Sequence, residues 1–285
     1  MPSSIDYLIS AQHASGGWGY STGQKPVVEP TSAVLLAIHN EPAANNSYQR
    51  GMSWLLSCQH QDGGWGINED DPESGWQTAW ALIAMRSSLQ NQDSISKSVE
   101  WLVHVGTLDI TQEEFQKQEI PKRDNIGAFI WPWLPGQAGW IEPTAMAVLA
   151  LEGITKSPLA DFRISAALNY FQKYRTADGG WNVGNAGPLD TIVIPRAYPT
   201  ALVLMALARS AQSEIKTMDM DALRNDLQRD PSILAQSSGL LALRILREGG
   251  EALISNINEH QFANGSWEDN PFFTAWAIMA IRGYL

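Results

Sequence analysis

The sequence predicts an all-α protein: a closed (α/α)6 barrel, or toroid, of six helical hairpins arranged as inner and outer rings of helices. Three observations predict this fold. A glycine-rich turn that leads to a tryptophan recurs along the chain. A small-residue apolar helix opened by threonine alternates with it, and a second kind of helix is amphipathic rather than apolar all round. Such alternation is typical of repeat proteins in which each unit is one helical hairpin.

The glycine-rich turn follows the end of an amphipathic helix. Its four clear copies are residues 12–19, 59–66, 174–181 and 261–267. Glycine is expected here because the chain needs a positive φ to leave a helix. Each copy carries a tryptophan that covers the turn, and we interpret these as structural: Trp18, Trp65, Trp181 and Trp267.

The threonine-opened helices are predicted for residues 30–38, 77–85, 143–151, 199–207, 236–243 and 273–281. Five contain a marker threonine near the start, and Ser237 takes its place in the weak fifth copy. We expect each threonine to cap a free N–H. These helices are apolar almost all round, so they should be buried inside a ring of amphipathic helices. An open superhelical stack is the alternative, and the alanine-rich inner set favours closure.

Composition restricts the class of protein. The repeats run from end to end, so residues 1–285 are expected to form a single domain. The net charge of −11 argues against binding nucleic acid through general electrostatics. With one cysteine, no signal peptide and no apolar run of membrane-spanning length, the sequence indicates a cytoplasmic protein without a transmembrane segment.

The run 61–66 followed by 77–82 resembles the Gln–Trp repeat of squalene–hopene and oxidosqualene cyclases, whose toroid protein prenyltransferases share. The resemblance covers essentially the whole chain and implies the toroid fold. Full-length members of that cyclase family carry two barrels, whereas this chain has one. A partner chain or a homodimer remains possible as the source of a second barrel. No metal or cofactor site is expected.

The resemblance also indicates where an acid would lie. The Asp-x-Asp-Asp motif of those cyclases is absent, and the nearest string, Asp219 to Asp221, is interpreted as a solvated turn. The protonating residue of the family lies two positions before the threonine. Glu29 and Glu142 hold that place here, so both are candidate catalytic residues. Each has an alternative role, in which it only complements the dipole of its helix N-terminus.

The residues just before each marker should surround one mouth of the ring, because the inner helices are expected to be parallel. The candidate substrate-binding residues are Trp76, Trp131, Trp133, Trp140, Tyr198, Arg196 and Phe273. An insertion in the third repeat, near residues 104–135, is expected to be a lid or binding loop. Alternatively, Trp131 or Trp133 is the displaced turn tryptophan of that repeat.

These residues predict an isomerase or lyase similar to terpene cyclases, acting by acid–base chemistry on an isoprenoid or other apolar substrate. The alternative is a non-catalytic toroid that binds an apolar ligand or a protein partner. An (α/α)-barrel glycosidase, which needs two carboxylates beside a sugar cleft, is a third possibility.

Overall fold

The computed structural model describes residues 3–88, 91–116, 126–154, 157–183 and 194–283. Within these residues the chain is helical, and its only β-type pairing is an isolated bridge between Pro132 and Gly139. The helices are α1 (Ser4–Ser10), α2 (Val28–Ile38), α3 (Asn45–Ser57), α4 (Gln77–Arg86), α5 (Gln92–His104), α6 (Gln112–Gln116), α7 (Ile141–Leu151), α8 (Pro158–Lys173), α9 (Ala197–Ser210), α10 (Thr217–Leu227), α11 (Ile233–Leu246), α12 (Glu251–Glu259) and α13 (Pro271–Arg282).

Six of these helices form a closed inner ring. In ring order they are α2, α4, α7, α9, α11 and α13, and each packs against the next, with α13 returning to α2. Arg282 on α13 closes the ring by donating a hydrogen bond of 3.1 Å to the carbonyl of Ala37 at the end of α2. The closed toroid is therefore confirmed, and the open stack is wrong.

The outer ring consists of α1, α3, α5, α8, α10 and α12. Each of the last five packs against the inner helix that precedes it in the chain, and α1 packs against α13. The core lies between the two rings and along the ring axis. Every residue of α2 is buried, as expected for an inner helix that is apolar on all sides.

The turn tryptophans join the two rings. The indole Nε1 of Trp18 donates to the carbonyl of Leu8 on α1 at 2.7 Å, and its backbone N–H donates to the Thr31 hydroxyl at 2.8 Å. The same pair of bonds recurs at four more tryptophans: Trp65, Trp131, Trp181 and Trp267. The expectation that threonine caps its own helix is wrong, because its hydroxyl instead binds the backbone of the preceding turn.

The fifth repeat departs from this pattern. The marker position of this repeat is held by Gln236 and not by Ser237. The backbone N–H of Gln236 donates to the carbonyl four residues earlier, as the backbone N–H groups of Thr31, Thr144 and Thr200 do. Its side chain donates to the carbonyls of Leu227 and Asp230, both at 2.7 Å. A glutamine amide thus makes the link to the outer helix that an indole makes elsewhere.

The prediction that the acidic string at Asp219 is a solvated turn is wrong. Asp219 is fully buried on α10, where its carboxylate accepts from Arg175 Nε at 2.8 Å and from the N–H of Gly180 at 3.0 Å. The pair replaces the glutamine that holds the glycine turn in other repeats, as Gln59 does by donating to Gly63 O at 3.0 Å.

Two further findings concern the described residues alone. None of their helices is long and apolar enough to cross a membrane. No group of three His, Cys, Asp or Glu side chains among them is placed to hold a metal ion, and Cys58 is buried as a free thiol.

Candidate active site at the mouth of the inner ring

The mouth of the ring consists of the residues two positions before each marker, with the loops that cover them. Those residues are Glu29, Trp76, Glu142, Tyr198, Leu234 and Phe272. These six residues lie at the same level along the ring axis, because all six inner helices start at the same end of the ring. The sequence period thus brings side chains from all six repeats to one site.

The Glu29 carboxyl is the most enclosed acid of the mouth. The residue is only 7% exposed, although it lies in the first turn of its helix. The hydroxyl of Tyr20, from the loop after Trp18, donates to Glu29 Oε2. Burial raises the pKa of Glu29 to about 8, with a smaller contribution from the nearby Glu142 carboxylate and in spite of the bond from Tyr20.

Glu142 forms the second half of the pair. Burial raises its pKa to about 7, and a hydrogen bond with the Tyr198 hydroxyl opposes that shift. Burial is the largest cause that raises the pKa values of Tyr20 and Tyr198, and the charges of both glutamates raise them further. The four groups therefore form one electrostatic cluster, and the two predicted acids are brought together.

A helix N-terminus normally favours the ionised carboxylate. At this mouth desolvation by burial is the largest effect on both carboxyl groups, and it outweighs the hydrogen bonds that Tyr20 and Tyr198 make to them. Both acids consequently change protonation state near neutral pH. A role limited to complementing the helix dipole does not require such a shift.

Aromatic rings extend from the carboxyl pair into the ring axis. The ring centroid of Phe272 lies 5.8 Å from those of both Tyr20 and Trp80. The ring centroid of Trp276 lies 5.8 Å from that of Trp80 and 5.9 Å from that of Tyr198. Trp80 and Trp276 are fully buried, and neither indole N–H has a hydrogen-bond partner among the described residues. The axis directly below the mouth is thus filled by aromatic side chains.

The described end of the third-repeat insertion reaches the rim of the mouth. Trp133 packs edge-on against Trp76 with ring centroids 5.0 Å apart, and its carbonyl accepts from the N–H of Trp76 at 3.0 Å. Phe273 is half-buried beside Phe272, at 6.0 Å between ring centroids. The insertion residues Lys117, Lys122, Arg123 and Asp124 lie outside the described residues.

Two predicted site residues have other positions. Trp131 is the turn tryptophan of the third repeat, buried with its indole bonded to Leu102 O at 2.8 Å. Arg196 is exposed and faces outward, where it pairs with Asp230 at 3.0 Å. Trp140, by contrast, is the half-buried N-cap residue of α7, two positions before Glu142, and stays a predicted site residue.

Sequence reasoning missed Tyr20, Trp80 and Trp276. The two tryptophans had a usable signal, since each lies four residues after a mouth position and therefore on the same helix face. No sequence signal pointed to Tyr20, because its contact with Glu29 depends on how the loop after Trp18 folds back across the mouth.

The comparisons agree with the fold. Residues 1–123 match the family model of the squalene-hopene cyclase C-terminal domain. The type II terpene cyclase MstE from Scytonema matches with a TM-score of 0.62 and 18% identity, over 98% of this chain and 95% of that one. An MstE variant in complex with geranylgeranyl dihydroxybenzoate, its substrate, matches at 0.64 and 14% identity, over 98% and 94%. The resemblance to a squalene–hopene-cyclase-like toroid is therefore confirmed.

Other toroids match equally well. An α-amylase from Clostridium perfringens matches with a TM-score of 0.67 and 10% identity, over 99% of this chain and 97% of that one. No curated protein matches the sequence. The match to MstE covers both chains almost end to end, so the two chains are of similar length.

Proposed function

We propose that this protein is a terpene-cyclase-like isomerase or lyase that moves protons on an isoprenoid or similarly apolar substrate at the mouth of the ring. The observation that carries the proposal is the convergence of Glu29 and Glu142, with pKa values raised to about 8 and about 7, in an aromatic surround. Acids and bases are most effective when their pKa lies near the working pH.

The two glutamates suit complementary roles. Glu29 is the more deeply buried of the two and has the higher pKa, so Glu29 is assigned as the acid and Glu142 as the base. Transfer of the Glu29 proton to a double bond leaves a carbocation and the Glu29 carboxylate. Removal of a proton from a neighbouring carbon by Glu142 then forms a new double bond. The substrate is isomerised, and a proton passing from Glu142 back to Glu29 restores the enzyme.

The surroundings support an apolar, chain-like substrate. The faces of Phe272, Trp80 and Trp276 stabilise positive charge through their ring quadrupoles and supply no nucleophile to trap a cation. The two unpaired indole N–H groups favour a substrate that also carries an oxygen acceptor.

Two alternatives each have one observation in their favour. The filled axis at Trp80 and Trp276 favours a toroid that binds without catalysis. The paired carboxyls, together with the likeness to an α-amylase fold, favour glycoside hydrolysis. The deciding experiment therefore includes a sugar panel beside the isoprenoid panel.

The test is turnover of isoprenoid alcohols, diphosphates, squalene and maltooligosaccharides by the parent protein, with products identified by mass spectrometry. Glu29→Gln and Glu142→Gln should each lower turnover by roughly a hundredfold or more while binding is retained, since each removes one proton-transfer partner. Glu259→Gln, an exposed acid on α12, is the matched control and should leave turnover unchanged.

Equal turnover by the parent and by both mouth variants would remove the pair from the mechanism. Binding without turnover in every protein would favour the non-catalytic toroid, and release of sugar would favour the glycosidase.

A further inference from the structure

A cavity lies at the opposite end of the ring, where the inner helices finish. Its volume is about 520 Å³, and its wall includes the aliphatic side chains of Leu36 and Ile83 and the guanidinium groups of Arg86 and Arg209. A volume of that size suits a ligand of some tens of atoms. Since the cavity is at the far end from Glu29 and Glu142, a ligand bound in it is independent of the proposed function.

Most arginines at this end hold neighbouring helices together. Arg86, Arg244 and Arg282 each stand eight residues after their marker, and each donates to the last carbonyls of the next inner helix. Arg86 makes three such bonds to the end of α7, to Leu149, Ala150 and Glu152. These contacts compensate the negative ends of the converging helix dipoles.

Arg209 breaks this register. It stands nine residues after Thr200 rather than eight, which turns its side chain by about 100° around α9 and brings it to the cavity wall. There Arg86 and Arg209 are close enough that the charge of Arg209, with burial as the larger cause, lowers the pKa of Arg86.

Among the described residues, one carboxylate has an electrostatic effect on both guanidinium groups. Glu152 is the acid near both of them, and its Oε2 already accepts from Ser210 at 2.9 Å. His39 also lines the cavity and adds no negative charge. Two partly buried cations that share one carboxylate lose solvation and repel each other, and an added anion would relieve both effects.

We propose that this cavity binds an amphipathic anion, with a phosphate or carboxylate at Arg209 and Arg86 and an apolar chain against Leu36 and Ile83. Arg209 is the specificity-determining residue, and Arg86, fixed by the end of α7, orients the head group. The aliphatic part of the lining is confined to Leu36 and Ile83, which suits one short apolar chain beside a charged head group.

The test is isothermal titration of the full-length protein with decyl phosphate below its critical micelle concentration, compared with decanol, decyltrimethylammonium and inorganic phosphate. Decyl phosphate should bind saturably. Arg209→Gln should weaken that binding roughly tenfold or more by removing a charge-assisted bond. Arg244→Gln, a helix-end arginine outside the cavity wall, is the matched control and should keep parent affinity.

Leu36→Phe supplies a second test, because it fills the cavity without changing its charge. It should weaken the binding of decyl phosphate and leave the melting temperature close to that of the parent. Binding of decanol as tight as that of decyl phosphate would overturn the anionic part of the proposal. No saturable binding by the parent, or equal binding by the parent and Arg209→Gln, would overturn the site itself.

Discussion

The two ends of the inner ring use the same six helices in opposite ways. At the mouth, tryptophan and threonine join the repeats, and the titratable groups are glutamates whose pKa is raised by burial. At the far end, arginines join the helices, and their charge offsets the helix dipoles. At the far end the arginines carry the charge that the helix dipoles favour there, and this stabilises the fold. The mouth places its acids where the dipole favours ionisation, but burial removes solvent from them and raises their pKa.

The largest expected effect tests how the mouth end is joined. Trp267→Ala removes a buried indole and its bond to Ile257 O, so it should lower the free energy of unfolding by about 3–5 kcal/mol. Urea denaturation measures this loss. Trp133→Ala, at the half-buried rim, is the comparison and should lose much less; equal losses would mean that the turn tryptophans have no special structural role.

The second test concerns the pH dependence of stability. Glu29 has a raised pKa in the folded state, so the folded protein binds its proton more tightly than the unfolded chain does. The stability this gives is complete below about pH 4.5 and is lost as pH rises through about 8. Between pH 5 and pH 8 the loss should be about 3 kcal/mol, at about 1.4 kcal/mol per pKa unit.

Glu29→Gln should remove the part of the pH slope that Glu29 contributes, leave the part that the raised pKa of Glu142 contributes, and raise stability at pH 8 relative to the parent. Denaturation series at several pH values measure the slope directly. A parent protein whose stability is flat or rises from pH 5 to pH 8, with Glu29→Gln the same, would contradict the raised pKa and argue against an acid role.

The third test concerns the far end. Arg244→Gln removes the donor that Arg244 presents to Ala280 and Ile281 at the end of α13, and should lower stability by about 1–3 kcal/mol. The loss should be the same at pH 5 and pH 8, in contrast to the mouth glutamates. A loss that varies with pH would mean that the two ends are electrostatically coupled.

The smallest effect concerns one threonine. Thr200→Val keeps the volume of the side chain but removes the acceptor for the N–H of Trp181, and should cost about 1–2 kcal/mol by thermal or urea denaturation. Ser238→Ala, whose hydroxyl bonds within its own helix, is the control. If Thr200→Val were as stable as the parent, the bond from the Trp181 indole to Phe171 O would be sufficient to join the two helices of this repeat.

The sequence by itself determined the toroid, because helix period, turn chemistry and burial pattern agreed in most repeats. It failed in the fifth, where Gln236 makes the link that tryptophan makes elsewhere and no turn signal marks the change. It also failed at Asp219, because a carboxylate in a polar string is indistinguishable from a solvated one until Arg175 is placed beside it.

For the candidate site, the resemblance to the cyclase family points to Glu29 and Glu142, because they lie two positions before a marker threonine. Only the tertiary structure decided that they share one electrostatic cluster and that Tyr20 and Tyr198 contact them, because these groups come from different repeats. It also decided that Arg196 faces outward and that Arg209 reaches a cavity. Local spacing fixes which face of a helix a residue occupies, whereas solvation and charge depend on what the other five helices bring to it.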